Sequence, residues 1–453
     1  MAYKCTNCGF TSVEWLGRCP KCGQWDTFKE SFPSEKDKLV EESPSGADKL
    51  TPLSDITPHS HNRLTTHIGE FDRALGGGLV RGSVVLLGGE PGIGKSTLML
   101  QLAASLATQG KVLYISGEES ARQLKRRANR LNLSSENLII YSGGNLEKAI
   151  SNLAQLDPLC AIVDSIQSIH SVNNSSTLGS TKQVRKLGQS FTRVAKQKEI
   201  TTLLIGHVTK AGDFSGPKTI EHLVDATIYF EGKQESNLRM LRPEKNRFGS
   251  TQLLGLFQMK KDGLFGIPNP SRFFATNLKD SNQPGAVTVC SMEGNRPIMV
   301  EIQALVTHAN YGGSAQRKTT GLDYNRASLL LAVLNKQTNI NLEGFDIFLN
   351  VVGGFKISET AADLAIATAI VSSFYNTKLP KRTVILGEIG LSGEVRAIQN
   401  LQSRISEAEK LGYQKMFVPA SNQSINQNKI TLNLNKVNNL SETFSRLNLE
   451  GGQ

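Results

Sequence analysis

The sequence predicts an α/β protein built on a mostly parallel sheet with helices on both faces. A small metal-held module precedes the sheet and an α+β domain follows it. Three observations carry this reading. Residues 83–104, SVVLLGGEPGIGKSTLMLQLAA, pass from a short apolar run through a glycine-rich loop into apolar residues at helical spacing. Strand-like apolar runs then alternate with helical patterns as far as Ile205, the rhythm of βαβ units. Four of the six cysteines stand within the first 22 residues.

Length and composition set the bounds. At 453 residues the chain is too long for one ordinary core, so two or three domains are expected. A hydrophobic content of 39% with 20% charged residues suits a folded soluble protein. No apolar run approaches the roughly 18 residues of a membrane helix, and the opening MAYKCTNCGF lacks the apolar core of an export signal. A cytoplasmic protein without a membrane partner is expected. The net charge of +11 is compatible with a polyanionic partner, but ordinary solubility explains it as well.

In chain order, Cys5-x-x-Cys8-Gly and Cys19-Pro-Lys-Cys22-Gly are two knuckles separated by ten residues. Gly9 and Gly23 permit the tight turns whose N–H groups face thiolates. Four thiolates make a closed tetrahedral site suited to structural Zn²⁺, and in a chain that is not exported metal is favoured over disulfides. So short a module buries little core, so the metal would supply its folding energy. Trp15 and Trp25 are expected to pack on this site, with stacking on a base as the alternative role. Cys160 and Cys290 lie in apolar contexts and read as inert buried thiols. These features give a finger over residues 1–30. A Ser-, Pro- and charge-rich linker covers 31–61, with short ordered pieces possible in it near Leu53 and Ile56.

The run Gly69 to Gly78 reads as a short helix stopped by glycines. The central stretch follows. Gly89 to Ser96 matches G-x-x-x-x-G-K-[ST] in the required strand–loop–helix context. Gly89, Glu90, Pro91, Gly92, Ile93, Gly94, Lys95, Ser96 and Thr97 would cradle the phosphates of ATP. Glycines turn successive N–H groups into one concavity, and the helix N-terminus adds a positive dipole end. Lys95 would reach the β- and γ-phosphates, and Ser96 would hold Mg²⁺, a hard cation that prefers oxygen ligands.

Further strands are read at Lys111–Ser116, Leu138–Tyr141, Leu159–Val163 and Thr201–Ile205. Ligands in such sheets sit at the carboxyl ends of the strands. Glu118, Asp164 and His207 fall at such ends together with the phosphate loop. Asp164 closes an apolar strand as a Walker B aspartate does and would bind Mg²⁺ through a water. Glu118 would take a proton from the attacking water or orient it. His207 would sense the γ-phosphate and pass its state to Val208–Lys218. A basic helix with Arg122, Lys125, Arg126, Arg127 and Arg130 reads as a solvated face. Segments His170–Thr181 and Ala211–Lys218 look like mobile loops, where Lys182, Arg185, Lys210 and Lys218 are candidate phosphate contacts.

Strands recur at Thr227–Glu231, Leu238–Arg242 and Gln252–Met259. The turn Lys245-Asn246-Arg247-Phe248-Gly249 carries two cations that suit a finger reaching a neighbour's γ-phosphate. With the core domain placed over 62–280, the domain over 281–453 shows strands at Val287–Ser291, Ile298–Val306 and Asp346–Val351. Helices are read at Asn325–Lys336 and Ser358–Tyr375, the second capped by Ser358, and a hairpin at Thr383–Ile398.

Taken together, CxxC…CxxC, GGEPGIGKST, YISGEES, IVDSIQ, GHVTK, KNRFG, GLDYNR and FLNVVGG resemble the bacterial RadA (Sms) family of DNA-repair proteins over nearly the whole chain, the linker and the C-terminal tail excepted, and KNRFG is highly specific to that family. The resemblance implies a RecA-like ATPase core, a zinc ribbon-type finger and a C-terminal domain similar to that of the Lon protease. It also implies homohexameric rings on single-stranded and branched DNA, branch migration of recombination intermediates, and the RecA recombinase as a partner. On this chain it gives Gly89 to Thr97 to ATP, makes Glu118 the catalytic glutamate, and gives Lys245 and Arg247 roles across the subunit interface and on DNA. Thr360 departs from the family, where proline is usual.

A Lon-type protease needs a serine nucleophile and a lysine base. Ala361 falls at the nucleophile position and Gln402 at that of the lysine, so proteolysis is not expected. Three readings compete: a DNA-dependent ATPase motor, an ATP-dependent protease, and a non-catalytic ATP-binding scaffold that would have no use for Glu118 and Asp164.

Overall fold

The computed structural model describes residues 2–8, 10–12, 14–31, 52, 63–172, 177–207, 220–232, 237–271, 283–309, 315–338, 340–422 and 430–449. Most of the expected linker, with Leu53 and Ile56, lies outside these residues, as do Gly9, Val208–Lys218 and most of the tip of the His170–Thr181 loop. Packing divides the chain into Met1–Ser60 and His61–Gln453.

The N-terminal unit is a three-stranded antiparallel ribbon in which Ala2–Cys5 lies between Thr11–Ser12 and Phe28–Ser31. Its apolar cluster consists of Cys5, Cys19 and Phe28, with Tyr3, Phe10 and Leu16 against them. The two tryptophans do not join this cluster. Trp15 is 53% and Trp25 68% exposed, which corrects the expectation that they pack on the cysteine site. The cysteines and Phe28 already fill so small an interior.

In the second unit a nine-stranded sheet runs Gly263–Gly266, Gly255–Lys260, Leu238–Asn246, Ala226–Glu231, Val84–Gly89, Thr201–Ile205, Cys160–Asp164, Val112–Ser116 and Leu138–Ser142. From Ala226–Glu231 to the Leu138–Ser142 edge all pairings are parallel, and the first three strands are antiparallel additions. The parallel strands are apolar on both faces because each face is covered. Val85 and Leu87 enter one core with the helix Lys95–Leu106, while Val84 and Leu86 enter the other with Thr181–Lys198. The basic helix, Ala121–Arg130, buries Leu124 and keeps Arg122, Lys125, Arg126 and Arg130 exposed, as a solvated face does, while Arg127 turns in to pair with Glu119. The short helix spans Gly69–Ala74 and ends before Gly76, Gly77 and Gly78, all at positive φ.

A seven-stranded mixed sheet follows, in the order Arg317–Thr320, Phe345–Val351, Arg296–His308, Ala286–Glu293, Thr383–Ile385, Lys415–Pro419 and Asn433–Val437. The helix Asp363–Phe374 is buried along ten consecutive residues, Asp363 to Ser372. It starts later than expected, because Thr360–Ala362 forms a 3₁₀ turn and Ser358 caps nothing. The Asp363 carboxylate instead pairs with Arg326 and accepts the Ile389 N–H, tying the helix start into the sheet. The expected hairpin is reduced to Glu388–Ile389 against Val395–Arg396, and Thr383–Ile385 joins the large sheet.

The two sheets share a core. Leu254, Leu256 and Ile267 pack with the second sheet's apolar residues. Arg296 and Glu70, each 6% exposed, form an ion pair at 2.7 Å in which Glu70 also accepts the Leu256 N–H. Among the described residues no helix is long and apolar enough to cross a membrane.

Candidate functional site

The phosphate loop lies between the strand that ends at Gly89 and the helix that starts at Lys95. Gly89 has φ +156°, and an added Cβ would stand 2.5 Å from the Phe230 carbonyl oxygen, so only glycine lets these backbones meet. No side chain caps the helix, whose N-cap is Gly94, so its first-turn N–H groups face the loop concavity. Lys95 is buried, and its Nζ donates to the carbonyls of Gly89 at 2.7 Å and Glu90 at 2.8 Å. Burial pushes its pKa down to about 8, while Asp164, Glu118 and Glu90 pull the other way.

The register brings the other groups to the same edge. Ser116 is aligned with Asp164, and Ile205 with Leu87, so the segments leaving these strands emerge beside the loop. Glu118 is the junction. The Ser165 hydroxyl donates to its Oε1, and His207 Nε2 lies 3.3 Å from the same oxygen. The hydrogen bond with His207 holds the Glu118 carboxyl down at about 2; burial opposes this and Ser165 adds to it. Asp164 Oδ2 accepts the Tyr114 O–H at 2.5 Å. Burial raises the Tyr114 pKa, so the phenol stays protonated as a donor. Glu119 is paired with Arg127 at 2.5 Å, which leaves Glu118 as the carboxylate held by Ser165 and His207. Tyr114 and Ser165 were not anticipated from the sequence. Their signals are a phenol inside the apolar run VLYIS and a serine directly after the strand-ending aspartate.

Lys245 and Arg247 stand elsewhere. Lys245 and Asn246 close the strand Leu238–Asn246, and Arg247 opens the turn. Asn246 pairs with Ala226, and Ala226 with Val85, four residues before Gly89. That offset is about 13 Å along the strand, toward the sheet edge away from the phosphate loop. Lys245 Nζ donates to the carbonyls of Glu221 at 2.7 Å and Val224 at 2.8 Å. Arg247, 52% exposed, has one ion pair of 3.4 Å to Asp225, whose other oxygen accepts the Val84 N–H. In the same chain neither cation reaches the loop. Lys182 and Arg185 are exposed on the helix Thr181–Lys198, while Lys210 and Lys218 lie outside the described residues.

In the N-terminal unit the Sγ atoms of Cys5, Cys8, Cys19 and Cys22 lie within 4.8 Å of one another. Cys5–Cys22 and Cys8–Cys19 are 3.7 and 3.5 Å apart. A Zn–S bond of about 2.3 Å sets a tetrahedron edge of about 3.8 Å, so this donor set fits a four-thiolate metal site. Gly23 supplies the second knuckle's turn, with φ +72° and its N–H donating to the Cys19 carbonyl at 2.8 Å. Metal analysis of the intact chain is expected to find one zinc per chain, and Cys19→Ser should release it without loss of the ATPase core, since the cysteines belong to the separate N-terminal unit. A zinc content far below one would overturn the assignment.

In the C-terminal domain Ala361 is buried and Gln402 exposed. The Thr360 hydroxyl donates to Glu388 Oε2 at 2.6 Å.

Curated relatives settle the family. The DNA repair protein RadA of Aquifex aeolicus (strain VF5) is 44% identical over 93% of each chain, and that of Bacillus subtilis (strain 168) is 43% identical over 92% of each. The chain belongs to the RadA family. Family models match as an AAA domain over residues 54–213, a rubredoxin metal binding domain over 3–30, and subunit ChlI of Mg-chelatase over 330–422. Among solved structures, a KaiC-like protein of Pyrococcus horikoshii OT3 aligns with a TM-score of 0.39 at 21% identity, over 46% of this chain and 99% of its own. In chain order, an AAA-type core with its phosphate loop thus stands between an N-terminal metal-binding ribbon and a ChlI-like domain.

Proposed function

We propose that this RadA-family chain is a DNA-dependent ATPase of homologous recombination and recombinational repair. It would work in the cytoplasm as a homohexameric helicase-type motor that extends strands and migrates branches on single-stranded and branched DNA, with the RecA recombinase as a partner. One observation carries the reading. The phosphate loop, Glu118, Asp164 and His207 converge at one edge of the sheet, while Lys245 and Arg247 stand at the other, so a complete site calls for a neighbour's cations. The family's DNA-repair relatives supply the substrate class. The domain scheme of finger, linker, core to residue 280 and Lon-like domain from 281 is part of the proposal.

In this reading the loop from Gly89 to Thr97 binds the phosphates of ATP, with Lys95 on the β- and γ-groups. Ser96, and Asp164 through a water, would hold the Mg²⁺ that neutralises charge on them. A carboxylate with a pKa of about 2 is a poor store for a proton. Glu118 therefore acts chiefly by accepting a hydrogen bond from the attacking water and orienting it. His207, bound to the same oxygen, links that event to the segment after it. The protease alternative lacks a hydroxyl at Ala361 and an amine at Gln402. Against the scaffold alternative stand Glu118 and Asp164, each held by its own donors.

Steady-state ATP turnover measured with and without single-stranded DNA tests the proposal. DNA should stimulate turnover, and Glu118→Gln should reduce it by about 10²-fold or more while a fluorescent ATP analogue binds as before. Turnover indifferent to DNA would overturn the motor reading, and an undiminished Glu118→Gln rate would remove Glu118 from its role.

A further inference from the structure

The chain has two tryptophans, Trp15 and Trp25, and both are exposed on the metal ribbon. They are also neighbours. Gly17 lies between them, and a Cβ built there would be 3.7 Å from the Trp15 ring and 3.9 Å from that of Trp25. With no side chain at Gly17, the edges of both indoles border the same open spot. Arg18 stands over Trp25, its guanidinium carbon 5.7 Å from the ring centroid. It is held there because its Nε–H donates to the Gly23 carbonyl at 3.0 Å, in the turn of the second cysteine knuckle. Among the described residues its other N–H groups have no hydrogen-bond partner.

We propose that Trp15, Trp25 and Arg18 form a stacking platform for an unpaired base of single-stranded nucleic acid. Indole faces accept any base, and a guanidinium lying on one of them can extend the stack and donate to the adjoining phosphate. The ribbon carries nearly balanced charge, with Lys4, Arg18, Lys21 and Lys29 against Glu14, Asp26 and Glu30. Its grip would therefore come from stacking and one fixed cation, not from bulk electrostatic attraction. Cys19 and Cys22, which would hold the metal, flank the turn that carries the Gly23 carbonyl, so a bound metal would fix the knuckle on which Arg18 is held. The proposal rests on the reading of the chain as a DNA-binding protein and gives the ribbon a part in it.

The chain's tryptophan emission comes from these two residues alone, so it reports this surface directly. Full-length protein is titrated with a labelled thymidine oligonucleotide while label anisotropy and tryptophan emission are both followed. Emission should be quenched along the same curve as the anisotropy. Trp15→Ala and Trp25→Ala should each weaken binding by about 5- to 100-fold with an unchanged salt slope. Phenylalanine at either position should restore most of the affinity. Arg18→Ala should lower the slope by about 0.7, as for one phosphate on a single strand. Zinc content establishes that each variant is folded. If anisotropy saturates with no quenching and the alanine variants bind as the wild type does, the platform serves another partner and the inference fails while the DNA reading stands. If anisotropy does not change at all, both fail.

Discussion

Replacing Lys95 by alanine is expected to cut ATP turnover by about 10²–10³-fold or more, the scale seen when one donor to a developing charge is removed. The ammonium is the only side-chain cation in the described residues of the loop, and its hydrogen bonds are to the loop's own carbonyls at Gly89 and Glu90. The substitution therefore removes charge facing the phosphates without uncoupling the loop from the rest of the sheet. A pH dependence follows from the same burial. With its pKa lowered to about 8, Lys95 is charged below that pH in the free protein and neutral above it. Phosphates need the charged form. Affinity for ATP should thus be level up to about pH 8 and fall about tenfold per unit beyond it, because kcat/KM follows ionisations of the free enzyme. Bound phosphates favour the ammonium, so kcat should hold to higher pH. Affinity unchanged at pH 9 would mean that burial does not lower this lysine.

Much of the site was legible because its signals are local. The glycine-rich loop, the strand-ending Asp164 and the positions of Glu118 and His207 all follow from short stretches read with one rule, that ligands gather at the carboxyl ends of parallel strands. The less legible parts depend on partners distant in sequence. Tyr114 reads as core until Asp164 is placed beside it. The start of the helix at Asp363 depends on Arg326 and Ile389, which no local cap signal announces. Gly263–Gly266 is too short and glycine-rich to register as a strand, yet it closes the sheet edge against Met259 and Gln101. The tryptophans defeated a rule of thumb: large aromatics are expected inside, but a ribbon held by four cysteines has little inside to offer.

Mixing two inactive proteins, Lys95→Ala and Arg247→Ala, is expected to restore part of the ATPase activity. Arg247 lies at the sheet edge away from its own loop, half-exposed, with a single ion pair of 3.4 Å to Asp225. The buried Asp225 carboxylate also faces the Lys196 ammonium at 3.8 Å and accepts the Val84 N–H, so it keeps partners when the half-exposed guanidinium turns to a stronger anion. Lys245 differs, because its ammonium is committed to the carbonyls of Glu221 and Val224. That makes Lys245 the brace of the turn and Arg247 the better finger, whose planar fork suits bidentate phosphate binding. A cation reaching a neighbour's ATP can be worth about 10³–10⁵ in rate in other phosphoryl-transfer systems. If the two variants assort at random in equal amounts, about a quarter of interfaces join an intact Lys95 to an intact Arg247, as expected for a head-to-tail ring. Activity near that fraction of wild type is the predicted result. The competing role, direct DNA contact, predicts no rescue; Arg247→Ala would then weaken single-strand binding and lower its salt slope by about 0.7. If subunits exchange and no mixture regains turnover, Arg247 does not act in trans.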